Sequence, residues 1–477
     1  MRNAMLMILV LLLAAPAAGA ASSAPDTLVY TVRDGDTLVK ICGLHRHLTN
    51  HYSLTDMLTD IRRTNGLQSN VLRIGQKLRI PVAADEGGAR VAETVARGAE
   101  VRGIYLTGPA CGSSSVFDRV DAFIAAGGNA VVFDGKDIDG SVSYPSRQEL
   151  ASSGEGRTAP VIPSLPDMMR RFKARGLYTI GRLALFLDGE IGRTRPDLAL
   201  HDSTGGVWRE RGCAWIDPAN PEVRAYLLGL AVELAEAGVD EVQFDYVRFP
   251  TNGWKGDWTG DLAGTAARRR AVIASFLEEA HAVLSARGVR VSTDLFGIMA
   301  WDRVEDLALT GQHVPTIAQH VDVICPMIYP SHFRPGFEGR ARPGDDPEYF
   351  IAEGTRRFRE QAGPGVEIRP WLQAFPYLVS NYDADYVATQ VTVTMASGGA
   401  GWCLWNPSCS YGVALAALPA ALASDPLATD GPAVAARTAG ADAAGPVAAP
   451  PAAVAGAPLD LMTGALVRKT PGRDDRP

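Results

Sequence analysis

The feature that most constrains this chain is an alternation of short apolar runs with longer amphipathic runs between Val101 and Ser424. We predict eight β-strands there, at Gly103–Thr107, Ala130–Asp134, Tyr178–Phe186, Glu241–Phe249, Arg290–Phe296, Val321–Tyr329, Ile368–Phe375 and Gly401–Trp405. Helical periodicity lies between them, most clearly at residues 218–238, where Asp217 can cap the helix and Gly238 can end it. Eight such repeats predict a (β/α)8 barrel. A doubly wound open sheet is the alternative, but no glycine-rich fingerprint follows the first strand.

The whole chain has 477 residues, which is enough for two or three domains. Its hydrophobic content of 47% is typical of a soluble globular protein, and its net charge of −7 argues against a general nucleic-acid binder. We predict a signal peptide at 1–20, a small domain at 28–82, a linker at 83–100, the barrel at 101–424 and a disordered Ala/Pro-rich tail at 425–477. No later stretch is apolar enough to span a membrane. We therefore expect a secreted, periplasmic or envelope-associated protein.

The small domain at 28–82 has a β-α-α-β pattern. Tyr30-Thr31-Val32 forms a strand, the turn Asp34-Gly35-Asp36-Thr37 leads into a helix, a second helix covers about 53–64, and Leu78-Arg79-Ile80-Pro81 closes the domain. This pattern resembles a LysM module. The resemblance implies binding to glycans that contain N-acetylglucosamine, such as peptidoglycan or chitin, through Gly35, Asp36, Thr37, Asn65, Gly66 and Leu67. A small cap domain without a ligand is the alternative.

The six cysteines and eight histidines predict no metal site and no cofactor. None of the cysteines forms a CxxC pair, and the histidines lack the spacing of zinc ligands. Export would permit disulfides, and six cysteines allow fifteen connectivities. Cys403 and Cys409 are closest in sequence and form the first predicted pair.

Polar side chains lie where the predicted strands end, and Asp245 is the most informative of them. It lies among Val242, Phe244 and Tyr246, and a carboxylate in a buried strand is costly unless it is paired or used in chemistry. Barrel enzymes place catalytic groups at the carboxyl ends of their strands. A structural ion pair between Asp245 and Arg248 is the alternative. The other candidates at strand ends are Asp134, Lys136, Asp137, Arg182, Arg248, Asp294, Tyr329, Trp371, Gln373, Trp405 and Asn406.

A ring of carboxylates among aromatic side chains is typical of a sugar-binding site. Glycoside hydrolysis uses two carboxyl groups, one as an acid and one as a nucleophile or base. Asp245 and Asp294 lie on neighbouring predicted strands, which run ~4.8 Å apart, close to the ~5–5.5 Å expected of a retaining enzyme. Asp137 is a second candidate for the acid. The run Asp137-Ile138-Asp139-Gly140 lacks the remaining ligands of a calcium loop.

Five segments together resemble an uncharacterised family of α-amylase-like glycoside hydrolase barrels. They are Gly103-Ile104-Tyr105, residues 129–137, Val207-Trp208-Arg209, residues 243–250 and Asp294-Leu295-Phe296-Gly297. The resemblance implies that Asp245 is the nucleophile and Asp294 the acid/base. The sequence departs from the α-amylase pattern, since Gln243 replaces the arginine two residues before the nucleophile and Asp294 replaces a glutamate.

These patterns predict an exported glycoside hydrolase that a LysM module holds on its polysaccharide. Arg182 and Arg248 would orient the carboxylates, and Tyr329, Trp371 and Trp405 would contact sugar rings. A barrel that binds glycan without cutting it, as an envelope scaffold, is the alternative.

Overall fold

The computed structural model describes residues 27–45, 49, 52–81, 100–152, 160–251 and 266–423. The predicted signal peptide and tail lie outside these residues, as does the linker apart from Glu100. The chain divides into two compact units, with the division after Ala89.

The first unit has the predicted β-α-α-β order. It contains β1 (Thr27–Thr31), α1 (Leu38–His45), α2 (Leu54–Thr64) and β2 (Lys77–Pro81). The two strands pair antiparallel, and the Ser53 hydroxyl caps α2 by accepting a hydrogen bond from the Asp56 amide at 3.1 Å. The apolar faces of both helices pack on the strands in a small core, with Ile41, Met57, Ile61, Leu78 and Ile80 at its centre.

The second unit is a closed barrel of parallel strands with helices outside it. Its strands are β3 (Val101–Leu106), β4 (Ala130–Lys136), β5 (Tyr178–Ala184), β6 (Leu187–Asp188), β7 (Arg209–Glu210), β8 (Cys213–Trp215), β9 (Glu241–Asp245), β10 (Arg290–Phe296), β11 (Val323–Met327), β12 (Glu367–Ile368), β13 (Trp371–Gln373) and β14 (Gly401–Trp405). Strands β6, β7 and β8 form a separate antiparallel sheet. The others follow the order β10-β9-β5-β4-β3-β14-β13-β11, and pairing of β10 with β11 closes the ring. The predicted (β/α)8 barrel is therefore confirmed. Arg369 and Pro370 divide the seventh strand into β12 and β13.

The helices of this unit lie between the strands. They are α3 (Gly108–Cys111), α4 (Ser115–Ala125), α5 (Glu149–Ser152), α6 (Leu165–Lys173), α7 (Ile191–Thr194), α8 (Pro221–Glu236), α9 (Ala266–Ser285), α10 (Val304–Thr310), α11 (Val314–Ile317), α12 (Pro347–Ala362), α13 (Ala384–Ala396) and α14 (Gly412–Ala423). The predicted start of α8 at residue 218 was wrong. Asn220 caps this helix, since its side chain accepts from the Glu222 amide at 2.8 Å, and Pro221 occupies the first turn. No helix in the described ranges is long and apolar enough to cross a membrane.

The alternation of β9 determines which side chains enter the barrel. Phe244 faces outward, where its ring meets Phe276 of α9 edge to face at 5.6 Å. Since successive side chains point to opposite faces, Glu241, Gln243 and Asp245 face the interior. This strand therefore carries a polar column inside the barrel, and Asp245 is at its carboxyl end.

All six cysteines are free thiols, so the predicted Cys403–Cys409 disulfide is wrong. Cys403 lies within β14, and a Cβ added to Gly103 of neighbouring β3 would meet its sulfur. Cys409 lies beyond that strand, where its sulfur accepts a hydrogen bond from the Thr107 amide at 3.3 Å. The two side chains thus belong to different environments.

Candidate active site

Asp245 is held by an arginine from the neighbouring strand. Arg182 of β5 lies in register with Gln243, and its side chain reaches Asp245, where Nε and Nη2 donate to the same carboxylate oxygen at 3.1 and 2.6 Å. The other oxygen accepts from the Tyr246 amide at 2.6 Å. Tyr246 has φ +52°, a left-handed conformation that is uncommon for a bulky residue. Because of this turn, β9 ends at Asp245, four residues before the predicted end at Phe249. The Asp245 carboxylate thus accepts hydrogen bonds from three donors.

Asp294 lies on the next strand and has a different environment. The register of β10 against β9 pairs Thr293 with Phe244, so continuing it by one residue places Asp294 opposite Asp245. One Asp294 oxygen accepts from Trp371 Nε1 at 2.8 Å. Burial, followed by the nearby charge of Asp245, raises the pKa of the Asp294 carboxyl well above its usual value. Asp294 is thus a buried carboxyl that favours its protonated form.

A third carboxyl, Asp134, completes a network around Arg182. Asp134 lies opposite Arg182 in the β4–β5 register and accepts hydrogen bonds from Arg182 Nη1 and from the Tyr105 hydroxyl. Burial raises the pKa of Asp134 to about 7, against the opposing effect of Arg182. Asp137 is more exposed and lies 3.9 Å from Arg182 Nη1. Arg182 therefore bonds to the carboxyls of Asp134 on β4 and Asp245 on β9, and the more exposed Asp137 carboxyl lies nearby.

A pocket that is open to solvent lies at the two aspartates. Its lining residues are Asp245, Asp294, Met327, Tyr329, His332, Trp371, Phe375 and Trp405. The Trp405 ring stacks on Tyr105 at 4.0 Å between centroids and meets Trp371 edge to face at 5.5 Å. The structure thus brings five of the predicted residues, two carboxyls and three aromatic rings, to one concave surface.

The profile of a family described as "putative glycosyl hydrolase domain" matches residues 103–411, which is most of the chain. The chain belongs to this family. A LysM domain profile matches residues 30–81. The search of curated proteins finds no match.

Solved structures similar to this glycosyl hydrolase domain protein include the glycoside hydrolase domain of PgaB (BpsB) from Bordetella bronchiseptica. That structure is 14% identical with a TM-score of 0.52, and the match covers 67% of this chain and 98% of the other. A hypothetical protein from Ruminiclostridium thermocellum is 32% identical over 40% of this chain and 96% of its own, with a TM-score of 0.35. The spore cortex-lytic enzyme SleL of Bacillus megaterium is 14% identical over 82% and 85%, with a TM-score of 0.40. The first of these likenesses supports the barrel fold.

Several predicted residues of the glycosyl hydrolase domain lie outside the pocket lining. Lys136 is fully buried, ion-paired with Asp188 at 2.9 Å and hydrogen-bonded to the Ala184 carbonyl. The Gln373 side chain donates to the Phe375 and Tyr377 carbonyls, and that of Asn406 donates to the Ala374 and Ser410 carbonyls. These side chains support the strand ends and loops around the pocket.

Arg248 does not pair with Asp245, which removes the structural alternative considered for that aspartate. Its guanidinium lies 3.5 Å from Glu210 and over the rings of Trp215 and Phe296, at 4.6 and 4.5 Å from their centroids. The expectation that Arg248 orients a catalytic carboxylate is therefore wrong, and Arg182 alone of the two arginines contacts Asp245.

Sequence reasoning missed Tyr105, His332 and the buried ion pair between Glu241 and Arg369. Arg369 Nη1 lies 2.9 Å from Glu241, and neither side chain is exposed. Tyr105 lies on the first strand, and its hydroxyl donates to Asp134 while its ring stacks on Trp405. His332 follows the sixth strand in a short 3₁₀ turn, and no periodicity marks it.

In the LysM unit, most of the predicted glycan contacts also shape the fold. The Asp36 carboxylate accepts from the Tyr30 hydroxyl at 2.8 Å and the Arg33 amide at 2.7 Å. The Asn65 side chain bridges the end of α2 to Arg79 of β2. Thr37 accepts from the Lys40 amide, Gly35 and Gly66 have positive φ, and Leu67 packs on the core. These residues therefore fix the two turns at this end of the small domain.

No group of three or more potential metal-ligating side chains is present in the part of the chain that the structure describes. The polar groups at the pocket include the Asp245 and Asp294 carboxyls, the Tyr329 hydroxyl and the His332 imidazole.

Proposed function

We propose that this chain is an exported glycoside hydrolase that cleaves a cell-envelope or extracellular polysaccharide. The LysM unit holds it on glycan that contains N-acetylglucosamine, such as peptidoglycan or chitin. One observation carries the proposal: two carboxyls on adjacent strands line one pocket, Asp245 bonded to Arg182 and Asp294 with its pKa raised by burial. Glycoside hydrolysis uses such a pair, with one carboxyl as the nucleophile or base and the other as the acid.

Asp245 acts as the nucleophile in this proposal. The two N–H groups of Arg182 and the amide of Tyr246 stabilise its anion and fix its orientation. The ionised carboxylate attacks the anomeric carbon as the bond to the leaving oxygen breaks. The resulting glycosyl ester is then hydrolysed by water.

Asp294 acts as the acid and then as the base. Its raised pKa keeps a proton available for the leaving oxygen, and the carboxylate that remains can accept a proton from the attacking water. Adjacent strands lie ~4.8 Å apart, which supports the short carboxyl separation of a retaining mechanism. Tyr329, Trp371 and Trp405 provide apolar surfaces for the faces of sugar rings.

The test compares the wild type with Asp245→Asn and Asp294→Asn. Each protein is incubated with purified peptidoglycan, chitin and a panel of other polysaccharides, and new reducing ends are measured. Asp118→Asn on the exposed face of α4 is the matched control. We expect release by the wild type and the control and a loss of at least ~1000-fold in both site variants. Full turnover by Asp245→Asn would refute the assignment. No release by any protein, with glycan still retained, would favour a binding protein.

Azide separates the two roles. In an Asp245→Gly variant, azide should restore cleavage and give a glycosyl azide of inverted configuration, because it attacks in place of the missing nucleophile. In Asp294→Gly it should give the retained configuration, because it replaces the activated water. The reverse pattern would exchange the two assignments.

A further inference from the structure

The hairpin formed by β7 and β8 carries an unassigned arginine at its tip. Glu210 pairs with Cys213 in the β7–β8 register, so Arg211 and Gly212 form a two-residue turn. Both have positive φ, +55° and +84°. Asn, Asp or Gly usually occupies the first position of such a turn, because other side chains are strained there. A strained residue kept at a position near a pocket is an indication of function.

The hairpin is attached to the residues that follow Asp245. Glu210 accepts from Trp215 Nε1 at 3.1 Å and faces the Arg248 guanidinium at 3.5 Å. Arg248 in turn lies over the Tyr246 ring, 5.4 Å from its centroid. Because Arg211 is the next residue after Glu210, this attachment holds the tip beside the carboxyl end of β9.

Arg211 is exposed and makes no hydrogen bond or ion pair within the described ranges. Its charge nevertheless acts on two residues of the site. Burial, followed by the charge of Arg211, lowers the pKa of His332 to about 4, so this pocket-lining imidazole is neutral near pH 7. Burial raises the pKa of Tyr246, and Arg211 is among the arginines that oppose this shift. Arg211 is thus a cation close enough to act on His332, and His332 lines the pocket with the two aspartates.

His332 supplies a second unassigned polar group on the same side. Its Nε2 atom is buried and has no hydrogen-bond partner in the described part of the chain, although its ring contacts Tyr329 and Phe375. Buried polar atoms are nearly always partnered in folded proteins, by protein or by bound molecules. The unpartnered nitrogen and the unpaired guanidinium both suit an anionic oxygen.

We propose that Arg211, together with His332, forms a subsite for a carboxylate carried by the substrate sugar. The barrel would then favour an acidic glycan, built with muramic or uronic acid, over a neutral one such as chitin. This inference rests on one part of the proposed function, namely that the pocket binds a glycan. Arg211 acts on binding, because it contacts the carboxylate and not the bond that breaks.

The test uses Arg211→Asn, since asparagine adopts positive φ readily and preserves the turn. The control is Arg287→Asn, an equal change of charge in the loop before β10 at the opposite end of the barrel. The glycans are peptidoglycan strands stripped of their peptides, which expose the lactyl carboxylate, and hyaluronan, which carries a uronic acid. Each is compared with the same glycan after its carboxylates are converted to amides.

We expect Arg211→Asn to raise KM about tenfold on a carboxylate glycan, with kcat unchanged, and to leave the amidated form unaffected. The glycan that shows the effect identifies the acidic sugar. Equal KM values for the variant and the wild type on both carboxylate glycans would overturn the proposal, as would an equal loss on the amidated forms.

Binding measurements separate this proposal from the hydrolase proposal. Oligosaccharides of the same glycans are titrated calorimetrically into full-length Asp245→Asn, with and without Arg211→Asn. Since both proteins carry the same LysM unit, the difference reports on the hairpin. Failure of the hydrolase proposal would appear as no new reducing ends from any glycan. Failure of the subsite would appear as an unchanged Kd for the carboxylate glycans.

Discussion

Replacing Arg182 with methionine tests whether the carboxyl network depends on this one cation. The Arg182 side chain is 2% exposed and bonds to both Asp134 and Asp245, which are almost equally buried. Methionine retains the length and the apolar stem of arginine but has no charge and no donor. Breaking a buried ion pair by removing one partner typically costs about 3–5 kcal/mol, because the remaining charge stays buried and unpaired.

This loss of stability should depend on pH, because a carboxylate left without its cation can take up a proton. Asp134 already has a pKa of about 7 beside Arg182, so the added cost between pH 4 and pH 7 falls on Asp245. To remain buried in the variant at pH 7, Asp245 must take up a proton about 3 pH units above the ionisation of an unfolded aspartate, near 3.9. At 1.36 kcal/mol per unit this costs about 4 kcal/mol for one carboxyl. The folded variant then holds a proton that its unfolded chain releases. Its stability should therefore fall as pH rises above about 4, and the loss should be small near pH 4.

The assay is urea unfolding, followed by tryptophan fluorescence, at pH 4, 5.5 and 7. The control is Arg356→Met, which removes an exposed ion pair with Glu353 and should cost about 0–1 kcal/mol at every pH. We expect the midpoint difference between Arg182→Met and the wild type to widen steadily from pH 4 to pH 7. A loss below about 1 kcal/mol at pH 7, or the same loss at pH 4 and pH 7, would refute the electrostatic reasoning.

Three further predictions follow from single contacts. Trp371→Phe removes the hydrogen bond that lowers the pKa of Asp294, so the high-pH limb of the kcat/KM profile should move to higher pH. An unmoved limb would contradict Asp294 as the acid. Gly401→Ala should lower the free energy of unfolding by about 3 kcal/mol in urea titrations, because its Cβ would lie 2.1 Å from the Val101 carbonyl oxygen. Gly412→Ala, which has open space around it, should leave the free energy of unfolding nearly unchanged. Unfolding in iodoacetamide without reductant should add six alkyl groups by mass spectrometry, and four or fewer would reveal a disulfide.

The fold could be predicted from the sequence because each strand and helix carries its own local signal. The strands at Arg290–Phe296 and Gly401–Trp405 have the predicted bounds, since apolar and β-branched residues fill them and turn residues flank them. The start of α8 was misplaced by three residues because two proline signals, at Pro218 and Pro221, follow each other closely. Such ambiguity changes a boundary and not the architecture.

The sequence predicted which side chains lie at the carboxyl ends of the strands, but it did not predict which of them contact each other. Which cation meets Asp245 depends on register and on one backbone angle. Arg248 is three residues away in sequence, but the left-handed turn at Tyr246 directs it toward Glu210. Arg182 is 63 residues away, and the parallel register of β5 with β9 brings it to the carboxylate. No sequence pattern predicts a tyrosine in that conformation. The turn at Tyr246 thus separates two arginines, one that holds a proposed catalytic carboxylate and one that holds the hairpin carrying Arg211.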